Sequence, residues 1–239
     1  EGQLWGNPLY RWDSMKRDGY AWWESRLRGT LERFDAIRLD HFRGLESYWA
    51  VPYGDETAAG GRWEPGPGED FIQMVREKFP EALIIAEDLG YVTKEVKALL
   101  DYSGYPGMKV LEFAFDSREA GDYLPHCYPE NCVCYAGTHD NTTILGWLEE
   151  ADPEDVDMAR RYLGLNREEG LHWGFLRGGM SSRARLFIAQ MQDYLELGAE
   201  ARMNTPGKLG GNWLWRMKAD ALTPELSRRL RDFTRLYGR

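Results

Sequence analysis

The sequence predicts an α/β fold on a mainly parallel sheet, expected to be part of a (β/α)8 TIM barrel. Three observations point there. Short apolar runs alternate with segments of helical periodicity, the order that builds βαβ units. One run, Ala82-Leu83-Ile84-Ile85-Ala86, is apolar at every position, as in strands buried on both faces. Three of the runs end on an acidic residue, Asp40, Glu87 or Asp140, where a parallel barrel mounts its reactive groups.

Taken in order, residues 18–33 carry aromatic and apolar positions at helical spacing, with Asp18 placed to cap. A strand follows at 34–40. Residues 53–68, rich in Gly and Pro, read as a long surface loop. A helix at 69–79 leads into the apolar strand at 82–87, a helix at 93–102 and a strand at 108–115. Another strand is expected at 131–138, then helices at 153–163 and 181–197. A short strand at 201–204 precedes a loop with Trp213 and Trp215, and a helix at 224–237 closes the chain. No linker, low-complexity tract or fixed-period repeat interrupts this pattern.

Composition narrows the partners. The 239 residues suffice for one large domain or two small ones with a substantial core. A formal net charge of −9 argues against nucleic acid and anionic membrane and is compatible with a neutral ligand. Thirteen tyrosines and ten tryptophans exceed what such a core needs, and aromatic rings also serve as platforms for sugar faces. Cys127, Cys132 and Cys134 have neither disulfide-framework nor zinc spacing, and Cys132 and Cys134 read as small core residues on one strand face. No apolar run reaches transmembrane length.

The three strand-end acids carry the chemistry. In Ile-Arg-Leu-Asp, alternation puts Arg38 and Asp40 on one face and Ile37 and Leu39 on the other. An arginine there can hold the carboxylate ionised and oriented as a nucleophile, or can form a structural ion pair. Glu87 ends an apolar strand, where desolvation favours a protonated carboxyl and proton donation; the alternative is a helix-capping or loop carboxylate, a role Asp88 suits better. Asp140 closes Ala-Gly-Thr-His-Asp, with Gly137 allowing a tight backbone course. The intervals place the acids at rim positions n, n+1 and n+3 of one barrel. Two carboxyl groups flanking a glycosidic bond can split it through an oxocarbenium-like transition state, and a third can hydrogen-bond the distorted ring.

The motifs IRLDHFRG, IIAEDLG and GTHDN resemble those of the α-amylase-like clan in the form found in the amylomaltase, or 4-α-glucanotransferase, family. GQLWGNPLY, YWAVP, GRWEPGPGEDF, YPGMKVLEFAF, YLPHCYP and ARMNTPG resemble that family as well, so the similarity runs over nearly the whole chain. It implies transfer of α-1,4-glucan segments between maltooligosaccharides, with glucose as an acceptor, by a retaining double displacement. Asp40 is then the nucleophile, Glu87 the general acid/base and Asp140 the transition-state stabiliser. Arg38 supports the nucleophile and His139 contacts the sugar at the cleavage site. Trp5 belongs to the acceptor-site loop, and Phe115 and Asn204 lie near the substrate. The resemblance implies no cofactor and no metal, and no calcium-loop pattern is visible. A cytoplasmic setting is expected.

Blander readings hold elsewhere. At least one of Trp22 and Trp23 reads as core, His41 as structural support, and His126 and His172 as lone histidines. Asn141-Thr142-Thr143 matches a glycosylation sequon beside Asp140, where modification is not expected. Residues 149–157 read as a solvated helix start. Five strands fall short of the eight of a closed barrel. Residues 1–239 are therefore expected to be the C-terminal part of a catalytic barrel, strands 4 to 8 with their helices, with strands one to three upstream of Glu1. Two other functions fit part of the pattern: a glucan hydrolase with water as acceptor, and a non-catalytic glucan-binding module. The acceptor-type loop GQLWG favours transfer over the first, and the set of three rim acids argues against the second.

Overall fold

The computed structural model describes residues 3–116 and 123–239. The chain divides into two compact units, 1–108 and 109–239.

In the first unit, α1 (Trp12–Arg17) and α2 (Ala21–Leu31) precede β1 (Ala36–Leu39). The N-cap of α2 is Tyr20, in the left-handed region at φ 59°, not Asp18 as expected, although Asp18 Oδ1 accepts from Ala21 N at 3.2 Å. A 3₁₀ turn (Phe42–Leu45) leads to β2 (Ser47–Ala50), which pairs antiparallel with β3 (Arg62–Pro65). Next come α3 (Gly68–Lys78), β4 (Leu83–Ala86) and α4 (Lys94–Ser103). In α3, Phe71, Ile72, Met74 and Val75 fill one buried stripe, while acids in the first turn and bases in the last complement the helix dipole. Thr93 Oγ1 caps α4, and Gly104, in the left-handed region at φ 69°, ends it. β1 and β4 pair in parallel, with Ile37, Leu39, Ile84 and Ala86 buried. Those strands pack on α3, α4 and an aromatic group in which Trp12, Tyr20 and Trp23 surround Phe71.

The stretch 53–68, expected as loop, holds a 3₁₀ turn and β3. β3 is four residues ending on proline, so it carries little strand signal of its own. It forms through pairing with β2, where Trp49 and Trp63 sit directly opposite with rings 5.3 Å apart.

The second unit begins within β5 (Gly107–Val110), the first strand of a sheet ordered β5-β6-β7, with β6 at Cys132–Tyr135 and β7 at Leu186–Ile188. Between β6 and β7 lie α5 (Ile144–Glu150), α6 (Pro153–Leu163) and the buried helix α7 (Leu171–Met180). A short α8 (Met191–Tyr194) and α9 (Pro224–Leu236) complete the unit. Its core joins Phe115, Tyr128, Cys132, Cys134, Ile144, Trp173, Phe175 and Leu176, with Leu226, Leu230 and Phe233 of α9 packed against them.

Three expectations are corrected here. The strand at 108–115 stops at Val110 and continues as a 3₁₀ helix, Leu111–Phe115. Residues 181–197 are not one helix: β7 forms there because it pairs in parallel with β6, from Val133↔Leu186 to Tyr135↔Ile188. Non-local pairing outweighs local helical periodicity in that segment. Residues 201–204 are not a strand: Ala201 ends a 3₁₀ turn (Ala199–Ala201), and 202–204 are irregular. Among the described residues the strands make three small sheets, and no barrel closes.

Phe71 is fully buried beneath three aromatic rings. Phe71→Ala should destabilise the first unit by about 3–5 kcal/mol, read as a lower urea midpoint; a loss below about 1 kcal/mol would show that this cluster is not the centre of the core.

Candidate functional site

In the first unit the parallel register sets Leu39 opposite Ala86, so Asp40 and Glu87 leave adjacent strand ends side by side. The ladder runs past both strands: Glu87 N donates to Leu39 O and Phe42 N to Glu87 O, each at 2.9 Å. Arg38 and Asp40 share a face as alternation requires, and Arg38 Nη1 lies 2.5 Å from Asp40 Oδ1. Arg38 Nε also contacts Met108 Sδ at 3.2 Å, which fixes the guanidinium from behind. The Asp40 side chain is 76% exposed.

Glu87 is gripped by backbone. Its Oε2 accepts from His41 N at 2.7 Å and its Oε1 from Leu89 N at 2.9 Å. His41 reaches this position with φ 51°, a left-handed conformation uncommon outside glycine. Burial depresses the His41 imidazole below its ordinary pKa, against the pull of Glu87 and Asp40. Its ring meets Trp5 edge-on at 4.9 Å. Trp5 is 59% exposed and tied by Nε1 to Gln3. His41 thus links Trp5 to Glu87, a role its place in the sequence did not reveal. Asp88 Oδ1 accepts from Met108 N at 2.7 Å, within the first unit.

In the second unit, His139 Nε2 lies 3.4 Å from Asp140 Oδ1. The His139 ring packs on Trp213, 5.4 Å away at an interplanar angle of 35°. Asn204 Nδ2 donates to Asp140 Oδ1 at 2.6 Å, so the segment expected as a strand reaches Asp140 without being one. Arg202 Nη2 donates to the Asp140 carbonyl. Asn141 Oδ1 accepts from Thr138 N and Oγ1, and Thr143 caps α5, so the sequon residues are engaged in the turn that carries Asp140.

Phe115, expected near the substrate, is fully buried against Trp147, Tyr162 and Phe175. The 3₁₀ twist after β5 exposes Phe113 instead, at 44%, with its ring on Tyr123. Trp23 packs on the core while Trp22 is exposed. His126 bonds Tyr162, and His172 is buried near Glu196. Among the described residues no group of three or more His, Cys, Asp and Glu side chains could hold a metal, and no helix is long and apolar enough to cross a membrane.

Comparison with known proteins follows this geometry. The family model described as 4-alpha-glucanotransferase, glycoside hydrolase family 77, matches residues 1–223. The 4-alpha-glucanotransferase of Clostridium butyricum is 46% identical over 239 residues, all of this chain and 49% of that protein. That of Thermus thermophilus is 49% identical over 237 residues, covering 96% of this chain and 47% of that protein. The structure of amylomaltase from Streptococcus agalactiae in complex with acarbose superposes with a TM-score of 0.94 at 39% identity, covering 100% of this chain and 48% of that one. The chain spans about half the length of the relatives it matches.

Close to the Asp140 turn, the second unit buries two acids, Asp193 and Glu112, to which the sequence reading gave no role. Asp193 Oδ1 accepts from Ile144 N at 2.8 Å, and burial pushes its carboxyl up to about 6. Glu112 is pushed well above the carboxylate range by burial and then by the Asp193 charge, with Arg202 opposing. Gly137 is required here for space rather than for its backbone angle: a Cβ would lie 2.7 Å from Glu112 Oε1. Between the unfolded pKa of Asp193, 3.8, and the folded value of about 6, the folded state holds more protons than the unfolded. Its contribution to stability is therefore full below the unfolded value and lost as pH rises through about 6. Asp193→Asn keeps an acceptor for Ile144 N and removes the titration. The stability difference, wild type minus variant, should fall by about 3 kcal/mol from pH 3 to 7 in urea unfolding; a flat difference would contradict the burial argument.

Proposed function

Because this chain belongs to the 4-alpha-glucanotransferase family of glycoside hydrolase family 77, we propose that it supplies the carboxylates with which the whole protein moves α-1,4-glucan segments from a donor maltooligosaccharide to an acceptor sugar, glucose included. One observation carries this reading: an Arg38-held Asp40 and a backbone-held Glu87 stand at the ends of two paired parallel strands. Neighbouring strands lie about 4.8 Å apart, which suits the roughly 5–5.5 Å carboxyl separation of retaining glycosidases.

In the first displacement Asp40 attacks the anomeric carbon through Oδ2, since Arg38 occupies Oδ1. The glycosidic C–O bond breaks, and Glu87 gives its proton to the departing oxygen. Both Glu87 oxygens accept a backbone N–H, so the proton sits on a lone pair that one of those bonds leaves open. In the second, Glu87 takes the proton of the acceptor hydroxyl, whose oxygen attacks the same carbon and releases Asp40. Asp140 takes the transition-state-stabilising role of its motif, His139 the sugar-contacting role, and Asn204, hydrogen-bonded to Asp140, a place near the substrate. Trp5, exposed above His41, suits an acceptor platform. Residues 1–239 are read as the C-terminal part of a catalytic (β/α)8 barrel.

The whole protein should convert maltotriose into glucose and a ladder of longer maltooligosaccharides with little rise in reducing ends; a rise in step with substrate loss identifies a hydrolase. Asp40→Asn should abolish turnover, and Glu87→Gln should lower it by about 10²–10⁴-fold. Near-normal rates in either variant would remove that residue from the chemistry. Two carboxylates suffice for acetal exchange, so chelation should leave the rate unchanged; loss reversed by added calcium would show a metal requirement.

A further inference from the structure

We infer that Arg202 is a positioning residue for Asp140, setting the angle at which that carboxylate meets the substrate; the inference rests on the function proposed above. The Asp140 side chain is 46% exposed, and no core packing fixes it. Its turn is held by Asn141 on Thr138 and by Asp140 N donating to Thr138 Oγ1 at 3.2 Å, and its carboxylate meets His139 Nε2 at 3.4 Å and the segment 202–204. Asn204 Nδ2 donates to Asp140 Oδ1 at 2.6 Å, yet Asn204 lies in a segment without strand pairing, so no sheet ladder places it.

Arg202 places it instead. Its Nη2 donates to the Asp140 carbonyl and its Nε to the Asn204 carbonyl, 2.8 Å away. With the Asn204 amide on the carboxylate, these bonds close a ring: Asp140 backbone, guanidinium, Asn204 backbone, Asn204 amide, Asp140 side chain. The arginine thus ties together the main chains on which acid and amide are mounted, without touching the carboxylate. A guanidinium holds its donors on separate nitrogens in a fixed planar fork that fits two carbonyls in divergent directions; an ammonium carries three donors on one nitrogen and lacks that fork.

The fork is itself anchored. Arg202 N donates to Ala199 O at 3.1 Å, and Gln192 Nε2 to Ala201 O at 3.2 Å. The guanidinium charge also acts on buried Glu112, whose Oε1 has no hydrogen-bond partner among the described residues. Trp213 N donates to Met203 O at 2.7 Å, so the same segment seats the ring that packs on His139.

The test uses the full-length enzyme and maltotriose disproportionation. Arg202→Met should lower kcat about 100-fold, the effect of a misplaced catalytic group, with KM within about threefold. Arg202→Lys should fall between it and wild type. Arg202→Met combined with Asn204→Ala should lose no more than the worse single variant, since both act through one carboxylate. Asp140→Asn is measured first: near wild-type turnover there defeats the functional reading itself. If Asp140→Asn is inactive yet Arg202→Met keeps its kcat, shifts KM instead, or multiplies its loss with that of Asn204→Ala, the positioning role is overturned. Urea midpoints accompany each variant; should Arg202→Met not fold, Arg202→Lys and its combination with Asn204→Ala decide by the same criteria.

Discussion

The parallel register of β1 on β4 is the constraint from which the first unit's candidate site follows. Ile37, Leu39, Ile84 and Ala86 are buried, and that apolar set admits one alignment of the two strands. Side chains alternate with a period of two, so a slip of one residue would turn Glu87 to the opposite face and bring Leu39 or Ala86 out of the core. The alignment then extends beyond the strands through Glu87 N and Phe42 N, so that the loops bearing the acids are held by the same ladder. Glu87 is consequently oriented by main chain, which has less freedom than a side-chain partner.

The second unit holds its acid by other means. Asp140 lies in a turn organised by side chains: Asn141 on Thr138, Thr143 on the start of α5, and Asn204 and Arg202 from a distant segment. Charge-assisted bonds from a guanidinium are strong and directional, and they replace the ladder that is missing there. This arrangement depends on few contacts, each of them a single side chain.

Both units carry local strain or desolvation beside these acids. His41 and Trp213 adopt left-handed conformations, at φ 51° and 62°, each costing on the order of 1–3 kcal/mol. In His41 that conformation delivers its N–H to Glu87; in Trp213 it accompanies the bond to Met203 and the stacking on His139. Glu112 and Asp193 add the cost of buried carboxyls. Such departures persist where the surrounding packing over-determines them, and the aromatic core beneath β1 and β4 supplies that packing in the first unit.

What the sequence by itself determined was local in origin. The stripe of α3, the cap at Thr93, the existence of strands β1 and β4 and the shared face of Arg38 and Asp40 follow from period and residue type within a few positions, although β4, apolar throughout, is buried on one face only, with Leu83 64% exposed. The motifs around Asp40, Glu87 and Asp140 were likewise legible as short strings. Only the tertiary structure decided what depended on distant partners. β7 is a strand because β6 lies beside it, and β3 is one because β2 does. Phe115 is buried and Phe113 exposed because a 3₁₀ turn follows β5, a twist that alternation does not encode. His41 joins the site through its backbone N–H, and Arg202 through two carbonyls. Main-chain donors and acceptors are the same in every residue, so no residue type announces them, and their roles appear only once the chain has brought them together.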